Sequence, residues 1–362
     1  MPLVEYYFPQ TISPARLDRH WAGGWFRSGG ALFRSRVLCM EGGLYSVVNI
    51  RVKLEGYQMS RSLRKIWRKN QTRFQVETGP ASVGAAQERL YQEGKGKFKG
   101  YIFETLEEFL YSRVPKGLFN THEIRVYEGE KLVAASYFDL GEAGIGSILG
   151  LYDSAYSNFS LGIYTMLLEV FFAQERGCRF YYPGYILRGT DAFDYKLRLG
   201  HIQYHNWHGR WKSLETLQAE SLPTEELDRA FSSLTEALRE ADIPHSQHLY
   251  PPFSLAYLDR HDQGFLGSPT FIYCYPDHWQ DDLLLIEYEL ESGEYVLNVA
   301  SKDETSLDYT NGGFSEDFFG EDPFERSLLI REDQIIRTTD QTALIQQILQ
   351  VGPPIQKDWP LG

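Results

Sequence analysis

Ser160-Leu161-Gly162-Ile163, then Phe180-Tyr181-Tyr182-Pro183-Gly184-Tyr185, then Tyr195-Lys196 are the segments that decide how the middle of this chain folds. They close a longer run that starts at His122 and ends at Arg198. Ahead of them, His122 to Tyr127 and Leu132 to Phe138 alternate as strands around Glu128-Gly129-Glu130-Lys131, a hairpin pattern, and Ile145 to Tyr152 reads as a third strand. Leu161 to Arg176 has the length and spacing of an amphipathic helix stopped by Gly177. Arg179 to Tyr182 is a short buried strand, and His201 to Trp211 is another strand. This order places a helix N-terminus beside a short aromatic strand. Such a pair predicts a cleft with backbone N–H groups at one end, where a phosphate or an oxyanion can sit.

Working outward, residues 1–100 read as a mixed lobe of strands and loops. Val47 to Val52 is β-branched and strand-like. Ser60 to Arg68 starts a helix, with Ser60 or Ser62 as cap and Leu63, Ile66 and Trp67 on one face. Thr105 to Tyr111 is helical. On the far side, Thr224 to Ala241 is a helix with Leu227, Phe231, Leu234 and Leu238 on one side, and Pro244 to Pro252 reads as a linker. Thr270 to Tyr275, Leu283 to Leu290 and Tyr295 to Val299 suggest an antiparallel sheet. Asp303 to Glu325 reads as a mobile acidic loop, and Gln341 to Val351 as a last helix. Meander, helix, strand is the order of the GNAT acyltransferase core. The expected fold class is therefore α+β: an N-terminal lobe (residues 1–100), a GNAT-like core (101–212) and an acidic α+β extension (213–362).

Charge divides along the same line. Residues 1–212 hold 28 Lys+Arg against 20 Asp+Glu, whereas residues 213–362 hold 8 against 29. One part of the chain can meet a polyanion that the other repels, although plain solubility charge on a separate acidic region reads equally well. The three cysteines, Cys39, Cys178 and Cys274, are far apart, which argues against a disulfide framework and fits a reducing compartment. His201, His205 and His208 come nearest to a metal spacing, but their segment reads as a strand, so no metal is expected. No apolar stretch approaches the length of a membrane span, and Met1-Pro2-Leu3-Val4-Glu5 lacks the form of a signal peptide; cytoplasm is the expected location.

Four constellations carry chemistry. Between Arg51 and Arg73 stand eight basic residues and one acid, Glu55. On a helix, Arg61, Arg64, Lys65, Arg68 and Lys69 repeat at i+3 and i+4, a self-repelling stripe that suits a phosphate backbone or else a solvated face. Arg27 and Arg34 lie among Trp25, Phe26 and Phe33, where they can fork onto a ligand carboxylate or pair with a local acid. Ser160 to Gly162 opens a helix and can hold a phosphate or an oxyanion, or be no more than a capped terminus. Tyr185 follows a Pro-Gly bend that leaves a gap, and Lys196 can meet a phosphate or carboxylate; core tyrosine and surface lysine are the alternative.

Gly24-Trp25-Phe26-Arg27-Ser28, Phe33-Arg34, Ile50-Arg51-Val52, Ser60-Arg61-Ser62-Leu63-Arg64 and Asn70 come in one order. They continue with Glu123, Leu132-Val133-Ala134 ahead of Asp139, Tyr152-Asp153, Ser160-Leu161-Gly162, Tyr182-Pro183-Gly184-Tyr185, Tyr195-Lys196 and Arg198. Across residues 5–212 this series resembles the arginyl-tRNA–protein transferase family, including its bacterial aspartate/glutamate leucyltransferase branch. That family usually has Leu where Pro183 stands. The resemblance implies a GNAT-like fold and transfer of arginine or leucine from an aminoacyl-tRNA to the N-terminus of a protein, usually one led by Asp or Glu. The family's N-terminal Cys pairs are missing: Tyr6-Tyr7-Phe8-Pro9 stands near the first, and Leu38-Cys39-Met40 near the second. No metal or cluster is then expected, and aminoacyl-tRNA is a co-substrate rather than a cofactor.

On that resemblance, Ser160, Gly162 and Tyr185 are expected at the reacting carbonyl, with Asp153 and Glu123 taking the amine's proton or the donor's cationic side chain. Arg27 and Arg34 would meet an acidic acceptor, with Tyr182, Tyr195 and Lys196 also substrate-binding. Arg61, Arg64, Lys65, Arg68 and Lys69 would hold tRNA. Two other functions remain open: an acyl-coenzyme A-dependent GNAT acyltransferase, against which the Gly-poor Tyr156 to Gly162 stretch argues, and a non-catalytic tRNA- or degron-binding relative.

Overall fold

Local signals start the helices. Ser13 Oγ accepts from Arg16 N (3.3 Å) ahead of Pro14, and Ser60 Oγ accepts from Leu63 N (3.3 Å). In the structure, a computed structural model, the described residues are 2–40, 43–97, 103–112, 114–258, 264–276, 282–303, 325 and 327–353. In chain order the first elements are β1 (Val4–Tyr7), α1 (Pro14–Ala22), β2 (Phe26–Ser28), β3 (Ala31–Ser35), β4 (Val37–Met40), β5 (Gly43–Lys53), α2 (Arg61–Gln71), β6 (Gln75–Pro80), α3 (Ala85–Gly94) and α4 (Leu106–Tyr111). Then come β7 (Thr121–Glu128), β8 (Lys131–Leu140), β9 (Gly144–Tyr152), α5 (Leu161–Glu175), β10 (Phe180–Tyr182), β11 (Tyr185–Arg188), β12 (Ile202–Asn206) and β13 (Arg210–Ser213). The last are α6 (Pro223–Glu240), β14 (His245–Leu249), β15 (Thr270–Cys274), β16 (Asp282–Glu289), β17 (Glu294–Asp303), β18 (Leu328–Thr338) and α7 (Gln341–Val351).

The architecture is α+β, and contacts divide the chain into two units. The larger holds residues 5–36 and 47–217, the smaller residues 1–4, 37–46 and 218–362. The larger unit thus runs across residue 100, and the partition nearest residue 213 follows Leu217.

In the larger unit the main sheet runs β13-β12-β5-β10-β9-β8-β7-β6. Its pairings are antiparallel except β9 with β10, which is parallel. β8 is buried at every residue from Leu132 to Asp139 because both sheet faces are covered. On one face Ile124, Val126, Phe138, Ile145 and Tyr181 pack against Leu161, Leu167 and Val170 of α5. On the other, Ala135, Tyr137, Leu149 and Leu151 pack against α3 and α4 through Leu90, Tyr91, Leu106 and Leu110.

The meander, α5 and β10 fall where the sequence places them. Cys178 N bonds Ala173 O (2.9 Å) and Gly177 N bonds Gln174 O (3.0 Å), the crossed pair that ends α5. Three readings change. α5 is not amphipathic, for Trp67 of α2 lies over its outer side against Tyr164 (5.6 Å) and Phe171 (4.5 Å). The strand from His201 to Trp211 is a hairpin, β12 and β13, paired from Gln203↔Ser213 to Asn206↔Arg210. The lobe before residue 100 also contains two helices, α1 and α3, that composition did not disclose.

The smaller unit has a five-stranded antiparallel sheet, β14-β15-β16-β17-β18, with α6 and α7 on one face. Leu227, Phe231, Leu234 and Leu238 of α6 meet Ile272, Leu284, Ile286 and Leu297 of the sheet. The Pro244–Pro252 linker is instead strand β14, paired His245↔Cys274 through Leu249↔Thr270. Asp303 to Glu325, expected as a mobile loop, lies almost wholly outside the described residues.

Candidate active site

β9 and β10 run together for three pairs, Phe180↔Gly144, Tyr181↔Ile145 and Tyr182↔Gly146, and then part. Pro183-Gly184 turns the chain away, with Gly184 at φ 89°, and Gly184 O accepts from Ile50 N (2.9 Å) as β11 joins β5. β9 continues beside β8 to Tyr152, after a bulge where Tyr137 and Phe138 face Leu149 and Ser147. Beyond Gly146, therefore, one edge of β9 has no strand partner among the described residues. A bulge at this point re-aims the side chains of the strand that forms the opening.

The N-terminus of α5 stands at the far end of that open edge. A 3₁₀ turn, Ser154–Phe159, leads into it, and Ser160 between them sits in the left-handed region (φ 52°, ψ 47°) with no side-chain cap bond. Ile163 N and Tyr164 N both reach Ser160 O (3.1 and 3.0 Å), and the N–H groups of Leu161 and Gly162 have no acceptor among the described residues. Successive free N–H groups at a helix start form a concavity for anionic oxygen. A Cβ on Gly162 would lie 3.6 Å from the Tyr152 ring, so this first turn stands directly against the end of β9.

The basic stripe is beside it. Arg61, Arg64, Lys65, Arg68 and Lys69 are all exposed on α2, and none has an ion pair among the described residues. The last turn of α2 is tied to the turn before Ser160. Asn70 Nδ2 donates to Phe159 O (2.8 Å), Lys69 Nζ donates to Asn158 O (2.9 Å) and lies 4.4 Å over the Phe159 ring. Arg73 pairs with Glu128 (2.5 Å).

At the mouth of the opening Lys196 Nζ donates to Tyr185 O (2.9 Å), near the rings of Phe193 (4.9 Å) and Tyr185 (5.2 Å). Burial lowers Lys196 to about 7 and raises the Tyr185 hydroxyl to about 12. Tyr195 beside it is nearly half exposed (47%). Under the sheet Glu169 of α5 accepts from Tyr181 OH (2.7 Å), and burial raises this carboxyl to about 7. Sequence reasoning missed Glu169, though an acid in the middle of an apolar helix, seven residues after Gly162, was a visible signal.

Four expected site residues are otherwise engaged. Arg27 is buried with Asp139 (2.7 Å), Thr121 Oγ1 (2.9 Å), Gly29 O (2.7 Å) and Leu110 O, its guanidinium 4.1 Å over Phe119. Arg34 bonds Glu5 and Gly23 O (3.0 Å). Both hold the lobe together and neither is free for an acceptor's carboxylate. Asp153 caps the 3₁₀ turn through Ala155 N (2.9 Å), and Lys131 (2.8 Å) holds its carboxyl low. Glu123 faces α3, accepting from Ser82 Oγ (2.7 Å), on the side of the sheet away from α5. Of the other expected residues, Ser160 and Gly162 stand at the Tyr152 end of β9, Lys196 lies by Gly184 and Tyr185, and Tyr182 packs tilted against Trp21 (5.6 Å) and edge-on against Trp211 (5.8 Å).

Residues 62–206 match the family described as arginine-tRNA-protein transferase, C terminus. This segment belongs to the aminoacyl-tRNA–protein transferase family. The aspartate/glutamate leucyltransferase of Leptospira interrogans is 24% identical over 199 residues, 53% of this chain and 76% of the relative. That of Campylobacter jejuni is 28% identical over 203 residues, 53% of this chain and 81% of the relative. Among solved structures, the C-terminal domain of a putative lysylphosphatidylglycerol synthetase from Agrobacterium fabrum covers 57% of this chain and 65% of its own at TM-score 0.33 and 13% identity, too slight a likeness to define a fold. Among the described residues no group of three or more His, Cys, Asp or Glu side chains is placed to hold a metal ion, and no helix is long and apolar enough to cross a membrane.

Proposed function

We propose that this transferase-family chain moves arginine or leucine from an aminoacyl-tRNA to the N-terminus of an acceptor protein or peptide, on a GNAT-like core, in a reducing cytoplasm. The observation that carries this reading is the unpaired basic helix α2, anchored through Asn70 and Lys69 to the turn that delivers the N-terminus of α5. Phosphates along α2 would lead the 3′ end of the tRNA toward the open edge of β9. The leucyltransferase name of the relatives favours acceptors led by Asp or Glu.

The ester on a charged tRNA is already activated. A neutral α-amine attacks its carbonyl carbon, the N–C bond forms, and the C–O bond to the terminal ribose breaks. The ribose oxygen leaves with a proton, and the amine gives up one. A free α-amine has a pKa of roughly 7.7–8.0, so a useful fraction is neutral without a strong base. Positioning then supplies the larger share, about 7–11 kcal/mol at best. The N–H groups of Leu161 and Gly162 would receive the oxyanion. Tyr185 and Lys196, at the mouth, would contact the ribose or the carried amino acid. Asp153 is held by Ala155 N and Lys131 and Glu123 by Ser82, and this reading assigns them no step.

Full-length protein incubated with arginyl- or leucyl-tRNA and Asp- or Glu-led peptides should give a peptide heavier by one residue, read by mass spectrometry. No extension with either tRNA would remove this reading.

A further inference from the structure

On the other side of the parting strands lies a cavity of about 10 Å³, room for one water-sized group. Its walls include Trp21, Trp25, Tyr182 and Trp211, and its polar lining is Arg27, Asp139, Asn49 and Ser147. Asp139 is 1% exposed. Its Oδ1 takes both Arg27 (2.7 Å) and Thr121 Oγ1 (2.7 Å), while its Oδ2 has no donor among the described residues. Asn49 Nδ2 is committed to Gly24 O, which leaves Asn49 Oδ1 also without a donor. Burying an acceptor without a donor is costly, about 1–3 kcal/mol and more for a charged group. The two open positions are acceptors, so an anion is refused and a compact donor is called for.

The cavity touches Gly146, Ser147, Tyr182 and Gly184, the residues at which β9 and β10 separate. A Cβ on Gly146 would come within 2.6 Å of the Trp21 ring, so this is the face covered by α1, whereas Ile145 and Tyr181 face α5. We propose that Asp139 Oδ2 and Asn49 Oδ1 form a subsite for a primary ammonium group, the N-terminal amine of the acceptor, which therefore enters the gap from the side opposite α5. This assignment rests on the transferase reading. Arg27 acts through Asp139: it satisfies one carboxylate oxygen and aims the other. The carboxylate orients the amine, and the neutral fraction is the nucleophile.

Calorimetry on the full chain with an Asp-Ala-Ala peptide amide and its N-acetyl form tests this. The free amine should bind at least tenfold more tightly, and Asp139→Asn should abolish that preference. Because Asp139→Asn unbalances a buried Arg27 and can fail to fold, Asn49→Leu is the second variant, expected to reduce the preference several-fold. Equal binding of the two peptides, no binding of either, or a folded variant with full amine preference overturns the subsite, the cavity then holding solvent only. Turnover with charged tRNA, measured alongside, separates the two claims. Amine-dependent binding without turnover keeps the subsite and removes the transferase reading. Turnover in Asp139→Asn with an unchanged KM for the peptide does the reverse.

Discussion

Arg27 and Arg34 on one side, and Arg61, Arg64 and Arg68 on the other, are the same residue type in one unit with opposite fates. The first two end in ion pairs with Asp139 and Glu5. The other three stand on the outside of α2 with no acid within reach among the described residues. A cation that finds an acid during folding contributes to the scaffold. A row of cations that finds none raises the free energy of the empty protein and is relieved by an anion. The difference in partners, not in residue type, separates structure from recognition here.

The sharpest way to break this contrast is Arg27→Ala. Asp139 would keep a buried charge with only Thr121 as donor, and breaking such a pair costs about 3–5 kcal/mol. Urea unfolding should show a large drop in midpoint with little change in slope. A loss below 1 kcal/mol would mean that the pair is not what holds the lobe. Next in size is Asn70→Ala, which removes the bond to Phe159 O (2.8 Å) at a fully buried position. The expected loss is about 1–3 kcal/mol. Turnover should fall with it if α2 must be fixed against the entrance of α5; unchanged turnover would uncouple the stripe from the site.

Arg64→Ala with Arg68→Ala should sit at the opposite end for stability, within about 0.5 kcal/mol of the parent. Its effect belongs in binding. Each phosphate contact on duplex RNA is worth a salt slope of roughly 0.9, taking the value for duplex DNA, so losing two should flatten log K against log salt by about 2. A flattening with no stability change confirms the contrast from the other side, and an unchanged slope denies α2 its partner.

The sequence disclosed what neighbouring residues decide. The cap at Ser60 or Ser62, the hairpin about Gly129 and the stop at Gly177 depend on a few neighbouring positions and were legible, the structure choosing Ser60. β14 was not, because Pro244 and Pro252 bracket it and its evidence is the pairing with β15, more than twenty positions on. At the site, the exposed stripe and the free N–H groups were legible from spacing. The fate of Arg27 was not, since Asp139 is 112 positions away and nothing near Arg27 announces an acid. The unpaired oxygens of Asp139 and Asn49 are legible only in three dimensions, because each residue has one atom satisfied and one open.

The last effect is one of pH and concerns Lys196, which belongs to neither set of cations. Unlike Arg27 it pairs with no carboxylate among the described residues, bonding the neutral carbonyl of Tyr185, and unlike the α2 stripe it is packed among rings. Burial lowers it to about 7, against roughly 10.4 for an unfolded lysine. Between those values the unfolded chain holds a proton that the folded one has released, so stability rises with pH across this window. Lys196→Met removes the effect. The stability of the parent relative to this variant should therefore improve from pH 7 toward pH 10 in denaturant titrations, and the gain should vanish below pH 6, where both states of Lys196 are charged. A difference independent of pH would return Lys196 to the ordinary surface cations. Lys196 would then offer no neutral amine beside Tyr185 in the working pH range.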